Sequence, residues 1–120
     1  MSGHRGERVG QRIQEIVARL LREEVRDPRI GFVTVTGVEV SRDLHVARVF
    51  VAGHGSEAER AAALAGLNSA APFFRRAVGR ELSLRFTPEL AFEEDTGVER
   101  GFRVETILRD LHEHEKEPEE

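Results

Sequence analysis

Residues 67–80 read LNSAAPFFRRAVGR, and the architecture turns on how this stretch is taken. Both sides of its proline are rich in helix formers with apolar anchors. Pro72 cannot donate a backbone hydrogen bond, and in an unbroken helix its ring collides with the carbonyl four residues back. It also biases Ala71 away from helical dihedrals. The stretch therefore reads as two helices meeting at a forced bend, with Arg75, Arg76 and Arg80 just beyond it. With Pro72 at the first position of the second helix, the amides of Phe73 and Phe74 are expected to lack helical partners. Free amides at the positive end of a helix dipole attract anions. Arginines early in a helix oppose that dipole by a few tenths to about 1 kcal/mol, a conflict that a bound phosphate would relieve. The plain alternative is a helix corner with solvated arginines.

Upstream of the bend, the alanine-rich run 57–70 is a helix, opened by Ser56 and Glu59 in the spacing of a capping box. Before it, FVTVTGVEV (32–40) and LHVARVFVA (44–52) are β-branched runs joined by SRD (41–43), an antiparallel hairpin. Gly37 marks a bulge in the first strand. Asp27 and Asp43 sit in turns, where carboxylates bond nearby backbone groups. Further back, Val9, Ile13, Ile16, Val17, Leu20 and Leu21 recur at three- and four-residue spacing, an amphipathic helix over 8–25 that RDPRIG (26–31) ends. At about 100° per residue, Arg5, Arg8, Arg12, Arg19, Arg22 and Arg26 share one arc about 100° wide. That arc is a solvated face partly neutralised by Glu15 and Glu23, or a surface for phosphates.

Downstream of the bend, Phe73, Phe74, Ala77, Val78 and Leu82 give the second short helix an apolar face. LRFTPELAFEED (84–95) alternates at Leu84, Phe86, Leu90 and Phe92, a third strand interrupted near Pro88. DTG (95–97) turns, and Val104, Ile107, Leu108 and Leu111 suggest a closing helix. The order helix, strand, strand, helix, helix, strand makes a two-layer α+β sandwich. One domain is expected over 1–112, followed by an acidic tail at 113–120.

Composition narrows the function. The chain has 120 residues, 39% hydrophobic and 33% charged, and no cysteine, which removes disulfide and thiolate chemistry. No apolar run approaches the roughly 20 residues that span a bilayer, and the first 30 residues lack a signal-peptide block. A cytoplasmic protein is expected. The formal net charge is −4, but the tail EHEKEPEE holds five Glu and one Lys. The remaining 112 residues are neutral, so a basic surface has to come from segregation of charge.

Enzymatic signals are weak. Histidines at 4, 45, 54, 112 and 114 are scattered, and no P-loop or nucleophile-elbow motif is present. Glu93, Glu94 and Asp95 form an acidic cluster able to hold a divalent ion, although such clusters are commonly solvated strand ends. No catalysis, cofactor or metal is expected.

A helix–bend–helix followed by a strand is the arrangement with which KH domains hold RNA, through a G-x-x-G loop. The lone G-x-x-G here, GHRG (3–6), precedes the first helix and is a chance match. The segments DPRIGFVTVTGVEVSRDLHVARVFV (27–51), LNSAAPFFRR (67–76) and LRFTPELAFEED (84–95), with their spacing, resemble the bacterial ribosome-binding factor A family over about residues 8–111. The resemblance implies a type II KH-like fold whose G-x-x-G loop is replaced by an Ala-x-Gly kink, here Ala70, Ala71 and Pro72. It implies binding to the immature 30S subunit and its 16S rRNA, with a role in late rRNA processing and growth in the cold. RNA contacts are then expected from Arg5, Arg8, Arg12 and Arg19, and from the kink with Arg75, Arg76 and Arg80, in a protein acting as a monomer. The rivals are a protein–protein adaptor using the sheet and acidic tail, and a metal-dependent enzyme using the acidic cluster.

Overall fold

A computed structural model of the chain describes residues 2–25, 27–30 and 33–95. The expected closing helix, the acidic tail and Arg26 lie outside the described residues. The elements run α1 (Ser2–Glu23), β1 (Val33–Val40), β2 (Val46–Gly53), α2 (Glu57–Ser69), α3 (Ala71–Leu82) and β3 (Glu89–Glu94). This is the expected α-β-β-α-α-β order.

The three strands form one sheet in the order β1-β2-β3. β1 and β2 pair antiparallel, whereas β2 and β3 pair parallel, from Val46 opposite Glu89 to Val51 opposite Glu94. Parallel neighbours cannot be joined by a tight turn. The pair α2–α3 is the crossover that carries the chain back. Thr36 is the extra residue of a bulge between Val35 and Gly37, at the position that the glycine marks.

The helices bury their apolar stripes on one face of the sheet. Ile13, Ile16, Val17 and Leu20 of α1 meet Val35, Val49 and Val51, while Leu67, Phe74 and Val78 join Leu90 and Phe92 in the same core. Each such side chain contributes about 1.5–3 kcal/mol when fully buried. Among the described residues no helix is long and apolar enough to cross a membrane.

Local chemistry fixes the ends of the elements. At the start of α2, Ser56 Oγ accepts from the Glu59 amide at 3.1 Å, and the Glu59 carboxylate accepts from the Ser56 amide at 2.7 Å. That hydrogen bond from the Ser56 amide holds the Glu59 carboxyl below its ordinary range. At the other end, Asn68 donates from Nδ2 to the Phe92 carbonyl (3.1 Å) and accepts at Oδ1 from the Phe92 amide (2.9 Å). Asn68 thus occupies the outer edge of β3, which no strand covers among the described residues, and ties the last turn of α2 to the sheet.

Four expectations shift. α1 begins at Ser2 rather than at residue 8, so GHRG (3–6) lies within it. The hairpin connection is five residues, 41–45, rather than the three of SRD. Leu44 adopts a positive φ of 63° and leaves the strand, while the amides of His45 and Val46 donate to Ser41 Oγ at 3.2 and 3.1 Å. β3 begins at Glu89, not at residue 84, because Pro88 has no N–H for the ladder; the Glu89 amide is the first to pair, with the His45 carbonyl at 2.9 Å. Finally, Ala71 is helical and Pro72 is the second residue of α3. The break falls one residue earlier, at Ala70 (φ −90°, ψ 2°). Ala71 is helical despite the proline that follows it, against the usual bias.

Candidate nucleic-acid interface

The break does not create the anion site expected from its amides. Phe73 and Phe74 both donate to the Ala70 carbonyl, at 2.9 and 3.2 Å. Ala70 stays close to helical dihedrals, so its carbonyl still points along α3 and takes both protons. What the break does is orient α3, and α3 carries the basic residues.

Arg75, Arg76 and Arg80 project from α3 into an open groove whose far wall is the 83–88 loop. Its lining is Arg75, Arg76, Gly79, Arg80, Arg85, Phe86 and Thr87, four arginines with no acidic residue among them. Arg85 and Phe86 were not among the expected site residues. The apolar alternation through Leu84, Phe86, Leu90 and Phe92 made Phe86 look like a strand residue. Pro88 was the signal to the contrary, since a residue before a ladder-breaking proline need not share the pleat beyond it.

Arg75 holds the two walls together. Its Nε and Nη2 donate to the Thr87 carbonyl at 3.2 and 2.8 Å. Its guanidinium lies 5.9 Å from the centre of the Phe86 ring, within cation–π range. A guanidinium has five N–H donors, so three remain for a ligand. Gly79 permits this close approach, because a Cβ there would lie 2.8 Å from Thr87 Oγ1. The His45 ring also neighbours Phe86, 4.5 Å away centre to centre at a tilt of 44°. Among the described residues, Arg76, Arg80 and Arg85 make neither hydrogen bonds nor ion pairs with the protein.

The arginines of α1 join this surface through Glu81. Arg19 donates from Nη1 to Glu81 Oε1 at 3.2 Å and pairs through Nη2 with Oε2. The hydrogen bond from Arg19 holds the Glu81 carboxyl below its ordinary range, and the charges of Arg19, Arg12 and Arg80 act in the same direction. Arg12 also donates to Glu15 at 2.8 Å. Arg5 and Arg8 are exposed on the same helix. The α1 stripe and the α3 groove therefore meet around one carboxylate.

The acids gather elsewhere. Glu93 accepts from Arg48 Nε and Nη2 at 2.7 and 2.9 Å, Glu94 accepts from Arg60 Nε at 2.8 Å, and Thr36 Oγ1 donates to Asp95. These carboxylates fasten the sheet and the start of α2, and no group of three potential metal ligands occurs among the described residues. Asp27 and Asp43 serve their own turns, accepting from the Arg29 amide at 2.9 Å and the His45 amide at 3.0 Å.

Comparison with known proteins bears on the fold and the family. The family model described as Ribosome-binding factor A matches residues 5–108. The Ribosome-binding factor A of Desulforamulus reducens is 45% identical over 115 residues, which is 96% of each chain. The crystal structure of ribosome-binding factor A from Thermus thermophilus superposes with a TM-score of 0.66 at 26% identity, covering 74% of this chain and 94% of that one. A homology model of the Thermus thermophilus ribosome binding factor A, as fitted into the cryo-EM map of a 30S complex with that factor, gives a TM-score of 0.58 at 27% identity, covering 70% and 88%. With two layers in the same order and a family match over most of its length, this chain belongs to the ribosome-binding factor A family.

Proposed function

We propose that this chain is a non-catalytic binding factor for the immature 30S ribosomal subunit, docking on folded 16S rRNA and assisting the late processing of that RNA. The observation that carries the reading is the α3 groove, where four arginines converge without a carboxylate and run on to the arginines of α1. Such a surface suits closely spaced phosphates. Phosphate contacts supply affinity and register with little reading of base sequence. Arg76 and Arg80, i and i+4 on α3, and Arg85 across the groove are the principal contacts; Arg5, Arg8, Arg12 and Arg19 extend the track along α1. Ala70, Ala71 and Pro72 serve by setting the direction of α3. That a relative has been fitted into a complex with the 30S subunit supports the choice of partner.

Charge reversal tests the reading. Arg76→Glu with Arg80→Glu should leave the thermal melt nearly unchanged, because both side chains are exposed. Cosedimentation with immature 30S subunits should fall steeply, and the salt dependence of the remaining binding should flatten by about one unit of log–log slope per lost contact. A folded double variant that cosediments like the parent would overturn the assignment.

A further inference from the structure

We propose that Phe86 is a stacking site for an unpaired nucleobase, with Arg76, Arg80 and Arg85 holding the phosphates on either side of it. This rests on the phosphate-binding reading of the groove and adds to it the class of RNA that the groove takes: a single strand or an extruded nucleotide rather than a helix.

A lone exposed apolar residue needs no explanation. Phe86 is different because of where it is held. It is 48% exposed, while Phe50, Phe74 and Phe92 are at most 3% exposed. The loop that presents it is fastened immediately after the ring, by the Arg75 bonds to the Thr87 carbonyl and by Pro88, which is fully buried. The His45 ring and the Arg75 guanidinium both lie against the Phe86 ring, which still keeps nearly half of its surface exposed. A hydrophobic ring is thus kept out in solvent by polar anchors, inside a groove lined by four arginines. Alternating π surface and positive charge is the arrangement that binds single-stranded nucleic acid, where each base stacked on an aromatic ring is worth about 1–3 kcal/mol. Paired bases keep their faces inside the helix and cannot use it. A protein partner would need several carboxylates around an apolar side chain to match the same surface. An RNA strand brings a phosphate and a stackable face with every nucleotide.

The chain contains neither Trp nor Tyr, so Phe86→Trp would introduce its single indole. Titrated with a labelled ten-nucleotide single-stranded RNA, this variant should keep its affinity by anisotropy and lose indole emission as the base stacks. Phe86→Leu, which keeps apolar bulk without the π face, should weaken single-strand binding about 5- to 150-fold. Its affinity for an RNA duplex of the same length should equal the parent's. Parental single-strand affinity in Phe86→Leu, or unchanged emission from a bound Phe86→Trp protein, overturns the stacking site. If Phe86→Leu weakens 30S binding but not that of isolated strands, the ring meets a ribosomal protein and the inference falls. The Arg76→Glu, Arg80→Glu protein separates the two readings: loss of 30S binding there, with none in Phe86→Leu, removes the stacking site and keeps the phosphate track.

Discussion

At the scale of single residues, Gly79 shows two effects in opposition. Alanine is favoured over glycine inside a helix by about 0.8–1 kcal/mol, so propensity alone would make Gly79→Ala stabilising. The new Cβ, however, would lie 2.8 Å from Thr87 Oγ1 and 3.6 Å from Thr87 Cγ2. Relieving the contact takes Thr87 out of its present rotamer or shifts the backbone of the 83–88 loop. That backbone carries the carbonyl that receives Arg75. Overpacking of this kind costs about 1–3 kcal/mol, which exceeds the helix gain. We expect Gly79→Ala to lower stability in urea denaturation and to weaken 30S binding. In a Thr87→Ala background, which keeps the carbonyl and removes the obstacle, the same change should become neutral or stabilising. A loss of equal size in both backgrounds would mean that Thr87 is not the obstacle.

At the scale of elements, the question is whether Pro72 makes the break between α2 and α3 or merely tolerates it. Leu67 and Phe74 are fully buried on either side of it, and Asn68 clasps the Phe92 backbone. These contacts fix the two helices independently of the proline. Pro72→Ala would restore an N–H able to extend α2, but fusing the helices would tear Asn68 from β3. The expected result is a retained break with stability lower by about 0.4–1 kcal/mol, the entropy that proline removes from the unfolded chain. Native-state hydrogen exchange reads this directly: the Phe92 amide should stay protected, and its exposure would show that the proline alone keeps the helices apart. The existence of this break was legible in the sequence because proline acts through its immediate neighbours. The capping box and the Gly37 bulge were legible for the same reason. The position of the break, the start of β3 and the exposure of Phe86 were not. Each depends on a partner distant in sequence: His45 for Glu89, Phe92 for Asn68, and the Arg75–Thr87 contact for the loop that carries Phe86. The expected free amides at Phe73 and Phe74 failed because Ala70 remained near-helical, a choice that no residue pattern announces.

At the scale of the whole molecule, a chain of formal net charge −4 presents a basic tract, and among the described residues the acids at the end of β3 are engaged at the sheet. Arg48 and Arg60 fasten Glu93 and Glu94 at the sheet, Glu15 and Glu23 pair with Arg12 and Arg19 along α1, and Glu81 sits within the tract between Arg19 and Arg80. Its hydrogen bond from Arg19 holds it below the ordinary carboxylate range, as hydrogen bonds from Arg29 and Ser41 do for Asp27 and Asp43. A carboxyl whose pKa is lower in the folded state binds protons more readily in the unfolded chain. The stability it contributes is present above its unfolded pKa of about 4 and is lost as pH falls through the lower folded value. The thermal midpoint should therefore hold steady above about pH 5 and decline in acid. Glu81→Gln should make that acid decline shallower, since one of the titrating groups is gone, while loosening α1 from α3. The same substitution frees Arg19 and removes a negative charge from the tract, so it should tighten binding to 30S subunits at low salt and steepen the log–log salt dependence by about 0.7–0.9, one further phosphate contact. A Glu81→Gln protein that is less stable at neutral pH yet binds more tightly would show that Glu81 maintains the fold at the expense of affinity. Unchanged or weaker binding with an unaltered salt slope would mean instead that Arg19 serves only the α1–α3 contact and lies outside the RNA track.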